Sequence, residues 1–217
     1  GSAAHKTLIE HIAERLTSLG LEVRRDRHEF TRWDVPFDQD HLRLTADGND
    51  IEICSAYPYS GTTGPAGVTG DLRWLSGWSW SWWVSAKGKI AVVEVPHISL
   101  PRDLLVGEWE TGGPSHPGRH PFLSVGLLGP KLHRARRAGV QGVVLVWRGL
   151  NAGNANRQYA PFVEPYKDLP AIWVAGEPGE RVLAAGHAGH EATLLLDAEL
   201  TPNCEIETIW AVSDGEV

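Results

Sequence analysis

Apolar residues recur at intervals of three and four over the first twenty positions, and this spacing predicts an amphipathic helix. The apolar stripe comprises Leu8, Ile9, Ile12, Ala13, Leu16 and Leu19. Gly20 follows the stripe, at the place where a glycine in the left-handed conformation commonly caps a helix. The next segment, Leu21–Phe30, contains a few apolar residues among many charged ones, and this pattern predicts a partly exposed strand.

Short apolar runs farther along predict strands that are separated by turn-rich segments. A strand pair is predicted at His41–Leu44 and Ile51–Ala56, with its turn at Asp47–Asn49. Further strands are predicted at Lys89–Val95, Val143–Trp147, Ala171–Val174, Ala192–Leu196 and Glu205–Val212. Tyr57–Gly70 has the composition of a linker, and His97–Phe122 has that of an irregular surface excursion.

The most distinctive segment is Gly129–Val146, where a short basic helix is predicted to lead into a fully apolar strand. Pro130 suits the first turn of this helix and Gly139 suits its end. The apolar face comprises Leu128, Leu132, Ala135 and Ala138, and the basic face comprises Lys131, His133, Arg134, Arg136 and Arg137. We interpret the basic face as solvated rather than as a ligand site. With another helix predicted at Pro178–Ala185, the pattern indicates an α+β or α/β domain.

The order of these segments resembles that of the protease-associated (PA) domain. The corresponding stretches are Gly88–Val93, Lys131–Val140, Gly142–Trp147 and Leu169–Val174, and the resemblance covers Ile51 to Glu205. It implies a β-sandwich or open barrel with short flanking helices, within an α+β fold class.

The flanking sequences resemble the co-catalytic zinc aminopeptidase family, which also contains glutamate-carboxypeptidase-like and transferrin-receptor-like proteins. The helix that ends in Leu19–Val23 looks like the family's opening, and Glu207–Val212 looks like its return strand. The resemblance implies that the N-terminal strand pairs with the C-terminal one. It also implies a peptidase-like N-terminal part at 1–50, a PA-like domain at 51–205 and a return strand at 206–217.

The family's first metal ligand lies in a His-x-Asp motif, and this sequence contains no such motif. We therefore assign no catalytic or metal-binding residue and no cofactor to this chain, and we expect the chain alone to be inactive. The resemblance places zinc only in a peptidase domain outside this sequence, in a parent protein that would be a zinc exopeptidase, a hydrolase. It also implies an extracytoplasmic or secreted location.

Composition narrows the classes of partner. Of the 217 residues, 42% are hydrophobic and 22% are charged, and the formal net charge of −7 disfavours nucleic acid as a partner. No apolar stretch approaches the roughly 20 residues that span a bilayer. Because methionine is absent, we expect a processed form or a part of a longer protein. The two cysteines, Cys54 and Cys204, would form one disulfide or remain two buried thiols.

Aromatic residues supply the candidate binding surface, which comprises Trp74, Trp78, Trp80, Trp82, Trp83, Tyr57 and Tyr59. On a strand, the indoles of Trp78, Trp80 and Trp82 would share one face. On a helix, Trp74, Trp78 and Trp82 would stack at four-residue spacing instead. Either arrangement could bind a peptide or a glycan, and the alternative interpretation is packing, within this chain or against a peptidase domain.

Histidines give weaker candidates for chemistry. His116 and His120 lie near Glu108 and Glu110, and His187 and His190 form a second pair. A zinc site needs three or four ligands in fixed geometry, so we expect these histidines to be solvated loop residues. The sequence contains no Gly-x-Ser-x-Gly nucleophile motif and no phosphate-binding glycine loop.

Three hypotheses follow. The chain is the non-catalytic PA region of a zinc exopeptidase-like protein, a stand-alone peptide- or glycan-binding module, or part of a receptor-type relative whose peptidase domain has lost its metals. Its partner is then a peptide or protein substrate, or the peptidase domain itself. The N-terminal helix discriminates between the first two, because an exposed Leu8, Ile12, Leu16 and Leu19 face would indicate a missing domain or partner.

Overall fold

The computed structural model describes residues 3–77, 79–97, 99–100, 118–119, 125, 129–157 and 165–213. The fold is mixed α/β with mostly sheet. Contacts divide the chain into two compact units. We call Gly1–Asp34 with Glu199–Val217 the helix–ribbon unit, and Val35–Ala198 the sheet unit. These units are divided after Asp34 and before Glu199, whereas the resemblance implies domain limits near residues 50 and 205. The implied limits stay a prediction.

The helix–ribbon unit contains helix α1 (Ala3–Ser18) and strands β1 (Glu22–Asp34) and β12 (Glu199–Val212). The two strands form an antiparallel ribbon, with a register shift between Phe30 and Arg32. The predicted helix, and the predicted pairing of the N-terminal with the C-terminal strand, are confirmed. Both strands are longer than predicted, because cross-strand pairing extends them through charged sequence with little hydrophobic signal.

The sheet unit is built on one eight-stranded sheet of order β3-β2-β11-β5-β6-β9-β10-β4. Its strands are β2 (Leu42–Ala46), β3 (Asn49–Ile51), β4 (Ser55–Ala56), β5 (Val68–Leu75), β6 (Ile90–Pro96), β9 (Gly142–Arg148), β10 (Ala171–Ala175) and β11 (Glu191–Leu196). A separate short pair joins β7 (Ser99–Leu100) to β8 (Gly118–Arg119). Both strands belong to the predicted surface excursion at His97–Phe122.

Strand β5 joins two sections of the sheet that differ in strand direction. Residues 68–71 pair antiparallel with β11, whereas residues 72–75 pair parallel with β6. On one side, β3, β2 and β11 continue the antiparallel section. On the other side, β6, β9 and β10 continue the parallel section, and β4 closes it as a short antiparallel edge.

Helices cover both faces of the sheet. The described helices of this unit are α2 (Trp80–Ser85), α3 (Leu132–Ala138), α4 (Ala152–Ala155) and α5 (Gly176–Ala188). Side chains from α2 and α3 join one core cluster with alternate residues of β6, β9 and β10. On the other face Gly179 of α5 lies so close to Val146 that a Cβ there would be 2.9 Å from its Cγ1.

The described strands of this unit form one open sheet, and the sandwich or open barrel expected from the resemblance stays a prediction. Among the described strands the sheet does not close, since β3 and β4 remain its two edges. Burial on both faces explains why β6, β9 and β10 are almost entirely apolar, because parallel strands are normally covered by helices on each side. Periodicity alone did not distinguish this arrangement from strands in a sandwich core.

Local predictions at helix ends and turns are confirmed with small shifts. Helix α3 begins at Leu132, two residues after the predicted Pro130, and Gly139 caps its end with a φ of 83°. The helix predicted at Pro178–Ala185 is longer at both ends. Asp47 and Gly48 have φ of 52° and 73° and connect β2 to β3, which is the geometry of a two-residue hairpin turn. Cys54 and Cys204 are free thiols, of which Cys54 is buried and Cys204 is half-buried.

Candidate functional site

The predicted tryptophan surface is divided between core and solvent. Helix α2 points Trp83 into the core, where it is fully buried, and leaves Trp80 and Trp82 exposed. Because the helix begins only at Trp80 and Trp74 lies on β5, neither predicted arrangement of the indoles describes the whole cluster. Trp78 lies outside the described residues.

Trp74 is held in a network of side chains on the sheet. Its ring stacks on the imidazole of His187, with centroids 4.2 Å apart. Its Nε1 donates to Glu94 Oε1 at 3.0 Å, and the other oxygen of Glu94 pairs with Arg148 Nε at 3.0 Å. Arg148 also pairs with Glu180 of α5. These contacts support packing between strand and helix as the role of Trp74.

Tyr57 is buried, so it is not part of an exposed aromatic surface. Its ring stacks on Trp173 at 5.9 Å, and Trp173 stacks on Trp147 at 4.1 Å. Tyr59 is half-buried at a φ of 56°, and its carbonyl accepts a hydrogen bond from the backbone of Lys167. Of the predicted surface, Trp80 and Trp82 therefore remain as exposed candidates, and their binding role stays a prediction.

The histidine candidates do not converge on one site in the part of the chain that the structure describes. His116, His120, Glu108 and Glu110 lie outside it. His187 stacks on Trp74, whereas His190 Nδ1 lies 3.6 Å from Asp47 Oδ2. Among the described residues, no three His, Cys, Asp or Glu side chains are grouped as metal ligands. No described helix is long and apolar enough to cross a membrane.

Cys54 has the environment of a structural thiol. Burial raises the pKa of its thiol to about 11, and the negative charge of Glu52 contributes in the same direction. Because the thiolate is the nucleophilic form, a thiol with this pKa is largely unreactive at neutral pH. Cys54 therefore supplies packing rather than chemistry.

A groove runs along strand β3, at the open edge of the sheet, and sequence analysis did not find it. One end has a volume of about 380 Å³ and is lined by residues that include Phe37 and Ile53. The other end has a volume of about 610 Å³ and passes beneath Ala184 and Ala188 of α5. Ile51 and Arg181 line both ends, so we treat them as one edge groove.

Charges on the edge groove are divided between the two faces of β3. Buried Ile51 pairs with buried Leu44, so this face of the strand lies toward the core and α5. Asp50 and Glu52 alternate with Ile51 and are exposed on the opposite face. On the α5 side the guanidinium of Arg181 is exposed, and no ion pair holds it in the described part of the chain.

Asp38, at the Phe37 end of the groove, is already engaged. Its Oδ1 lies 2.7 Å from His41 Nδ1 and accepts the backbone N–H groups of Asp40 and His41. The hydrogen bond to His41 lowers the pKa of Asp38, and the same bond raises the pKa of His41. This pair closes a loop rather than offering a free charge to a ligand.

Comparison with known proteins connects the fold to zinc aminopeptidases. No protein-family model and no curated protein matches the sequence. An aminopeptidase from Aneurinibacillus sp. strain AM-1 matches 97% of this chain and 43% of its own, at 17% identity and a TM-score of 0.61. A zinc aminopeptidase from Bacillus subtilis matches 100% of this chain and 43% of its own, at 19% identity and a TM-score of 0.60.

A peptidase precursor from Shewanella amazonensis gives a similar result. It matches 96% of this chain and 45% of its own, at 14% identity and a TM-score of 0.59. The chain shares the fold of these regions. At such identities the matches show the fold alone, and the chain spans less than half the length of each of the three structures.

Proposed function

We propose that this chain is the non-catalytic, PA-like region of a zinc-dependent exopeptidase-like protein, and that it shapes substrate access or mediates peptide and protein interaction. The fold shared with three peptidase structures supports the connection to peptidases. The absence of a His-x-Asp motif from the sequence supports a non-catalytic role. We propose an extracytoplasmic location on the same basis.

The observation that carries the proposal is the open apolar surface of α1. Leu8 and Leu19 are 54% and 69% exposed and Ile12 is also exposed, whereas Leu16 is half-buried and Ala13 is buried. A helix normally buries its apolar stripe, and an exposed one marks an interaction surface. This is the outcome that favours a domain or partner against α1 over a self-sufficient binding module.

The ribbon adds a second open surface. Trp210 and Val212 of β12 are exposed on the face opposite to the one that α1 contacts. The Trp210 ring lies 5.1 Å below the guanidinium of Arg24, and its Nε1 donates to Asp26 Oδ2 at 2.9 Å. A two-stranded ribbon is marginal by itself, so these exposed side chains support a partner on this face as well.

In zinc exopeptidases of the proposed kind, paired metals activate a water molecule and a carboxylate acts as base. In the part of the chain that the structure describes, no side-chain cluster fits such a pair. We propose for this chain a role in shape and recognition, with bond cleavage carried out by other residues.

An aminopeptidase assay tests the non-catalytic role. The chain is incubated with zinc and amino-acid nitroanilides, with the Bacillus subtilis zinc aminopeptidase as the positive control. We expect no turnover above that of zinc alone. Zinc-dependent turnover by the purified chain, abolished by a chelator, would overturn the proposal.

The partner surface is tested with charge substitutions on α1. Leu8→Glu, Ile12→Glu and Leu19→Glu together should reduce the binding of an apolar dye without lowering the melting temperature. Lys6→Glu, His11→Glu and Ser18→Glu form the matched control on polar positions of the same helix. If the apolar triple variant unfolds the helix–ribbon unit while the control does not, the face is internal packing and the argument for a partner fails.

A further inference from the structure

We propose that the edge groove binds an extended peptide as an additional strand on β3, with acidic and small apolar side chains toward α5 and basic side chains toward the opposite face. This inference deepens the peptide-interaction part of the proposed function. It depends only on the sheet unit, so the zinc assay and the α1 variants can fail without affecting it.

The backbone of β3 is open on its outer side. In the described part of the chain this strand pairs only with β2. The hairpin turn makes Ala46 and Asn49 the closing, hydrogen-bonded pair, and Thr45 and Asp50 the next, non-hydrogen-bonded pair. The N–H and C=O of Asp50 therefore point away from β2, toward the groove. Such groups are the template onto which an extended peptide adds.

Helix α5 provides a wall for the added strand on one face. Ala184 and Ala188 are exposed and lie one turn apart, beside the floor formed by Ile51. Their small side chains leave room for short apolar residues of a peptide. Arg181 precedes them by one turn on the same side of the helix and offers a guanidinium to a carboxylate.

The opposite face of the same strand carries the opposite charge. Asp50 and Glu52 would be the direct neighbours of side chains on an added strand, and opposite charges across such a pair are favourable. Arg43 lies one strand farther away, on β2, and leaves this face with a negative excess. Since side chains alternate along a strand, the groove favours a peptide in which basic residues alternate with acidic or small apolar ones.

Charge also argues against a second copy of this chain in the groove. Two β3 strands placed edge to edge would bring Asp50 and Glu52 of one copy against the same carboxylates of the other. Like charges directly opposite each other destabilise a strand pair. The occupant that fits is therefore a heterologous peptide segment.

The test uses a fluorescent peptide of sequence Lys-Ala-Lys-Glu-Lys-Ala-Lys, blocked at both ends, and measures fluorescence anisotropy with the whole chain. We expect saturable binding. A peptide of the same composition, Lys-Lys-Lys-Lys-Ala-Glu-Ala, should bind at least about tenfold more weakly because its charges do not alternate. Equal binding of the two peptides, or no binding of the first, would overturn the proposal.

Variants locate the site. Arg181→Glu replaces an attraction by a repulsion and should weaken binding about tenfold, whereas Arg137→Glu on the exposed face of α3 should not change it. Asp50→Pro removes an outward N–H and should also weaken binding, after circular dichroism has verified the fold. Two further peptides carry N-methyl groups on alternate amides, one on the odd and one on the even positions. Because only alternate amides of an added strand face β3, one of these peptides should lose binding to the unmodified chain and the other should keep it. Unchanged binding by Arg181→Glu, or equal effects of the two methylation patterns, contradicts the assignment.

Discussion

Trp147 stacks on Trp173 across neighbouring parallel strands, with ring centroids 4.1 Å apart and planes inclined by 12°. The two residues are not directly opposite, because Trp173 is in register with Leu145 and Trp147 with Ala175. They meet diagonally, which only long or aromatic side chains can do. Tyr57 extends the stack on the other side of Trp173. Three aromatic rings thus form a column in the core of the parallel section.

Truncation of an aromatic side chain in this column should lower the free energy of unfolding. The loss should be smaller where the substitution keeps an aromatic ring and removes only the indole nitrogen. Trp147→Ala should lower the free energy of unfolding by about 3–5 kcal/mol. Trp147→Phe should cost only about 1 kcal/mol, because it also removes a buried Nε1 that has no hydrogen-bond partner in the described part of the chain. Urea unfolding measures both, with exposed Trp80→Phe as the control. Equal losses for the two Trp147 variants would contradict this account.

Gly61 is required by close backbone contact. A Cβ at this position would lie 2.5 Å from the backbone N of Leu169 and 2.8 Å from that of Pro170. Gly61→Ala should therefore destabilise the chain by more than about 2 kcal/mol, because main-chain atoms cannot move aside. Gly153→Ala in α4 is the control and should be neutral or stabilising by up to about 1 kcal/mol. Thermal unfolding measures the melting temperatures of the two variants. Equal melting temperatures would contradict the requirement for glycine at position 61.

The pair of His41 and Asp38 should make stability depend on pH. The hydrogen bond to Asp38 raises the pKa of His41 above its ordinary value, and Asp197 and Asp40 contribute in the same direction. Stability from the charged imidazole is complete below the ordinary pKa of about 6.5 and is lost as pH rises through the raised value. Asp38 has a lowered pKa, so its contribution is present above about 3.9 and is lost as pH falls through the lowered value.

His41→Gln should accordingly lower the melting temperature more at about pH 5.5 than at about pH 9. His133→Gln, at an exposed position of α3, controls for the loss of an imidazole. A deficit that is the same at both pH values would show that His41 acts through packing alone.

Arg25 should stabilise the helix–ribbon unit through two carboxylates. Its Nη1 lies 2.8 Å from Glu10 Oε1 of α1 and 2.7 Å from Glu207 Oε2 of β12. The hydrogen bond to Arg25 lowers the pKa of Glu10, while those to Arg27 and then Arg25 lower the pKa of Glu207. The resulting stability is present above the ordinary carboxyl pKa of about 4.3 and is lost as pH falls through the lowered values.

Arg25→Gln should reduce the melting temperature at neutral pH, and the deficit should shrink in high salt because exposed ion pairs are screened. It should vanish at about pH 2, where both carboxyl groups are protonated. Arg73→Gln, at an exposed position of β5, is the matched control. A salt-independent deficit would point to lost packing of the arginine stem instead.

Sequence analysis located the regular elements best where a local rule acts by itself. The heptad-like stripe of α1, the glycine after α3 and the Asp47–Gly48 turn each follow from short-range chemistry. The arrangement of the sheet did not follow, because a fully apolar run such as β9 is equally consistent with a sandwich and with a helix-covered parallel sheet.

The aromatic surface shows the same limit for function. Trp80, Trp82 and Trp83 are nearly adjacent, yet rotation around a single helical turn buries one and exposes the others. The edge groove had no local signal at all, since Ile51 and Arg181 are distant in sequence and meet only because α5 packs over the sheet.

Strand β5 has a consequence for how the sheet opens. The antiparallel and parallel sections share no other strand, so they cannot separate unless the backbone hydrogen bonds of β5 break on at least one side. Amide exchange at Gly70 to Arg73 should then be slower than at the ends of β3 and β4, which can fray independently. The change of strand direction within β5 therefore couples the unfolding of the two sections of the sheet.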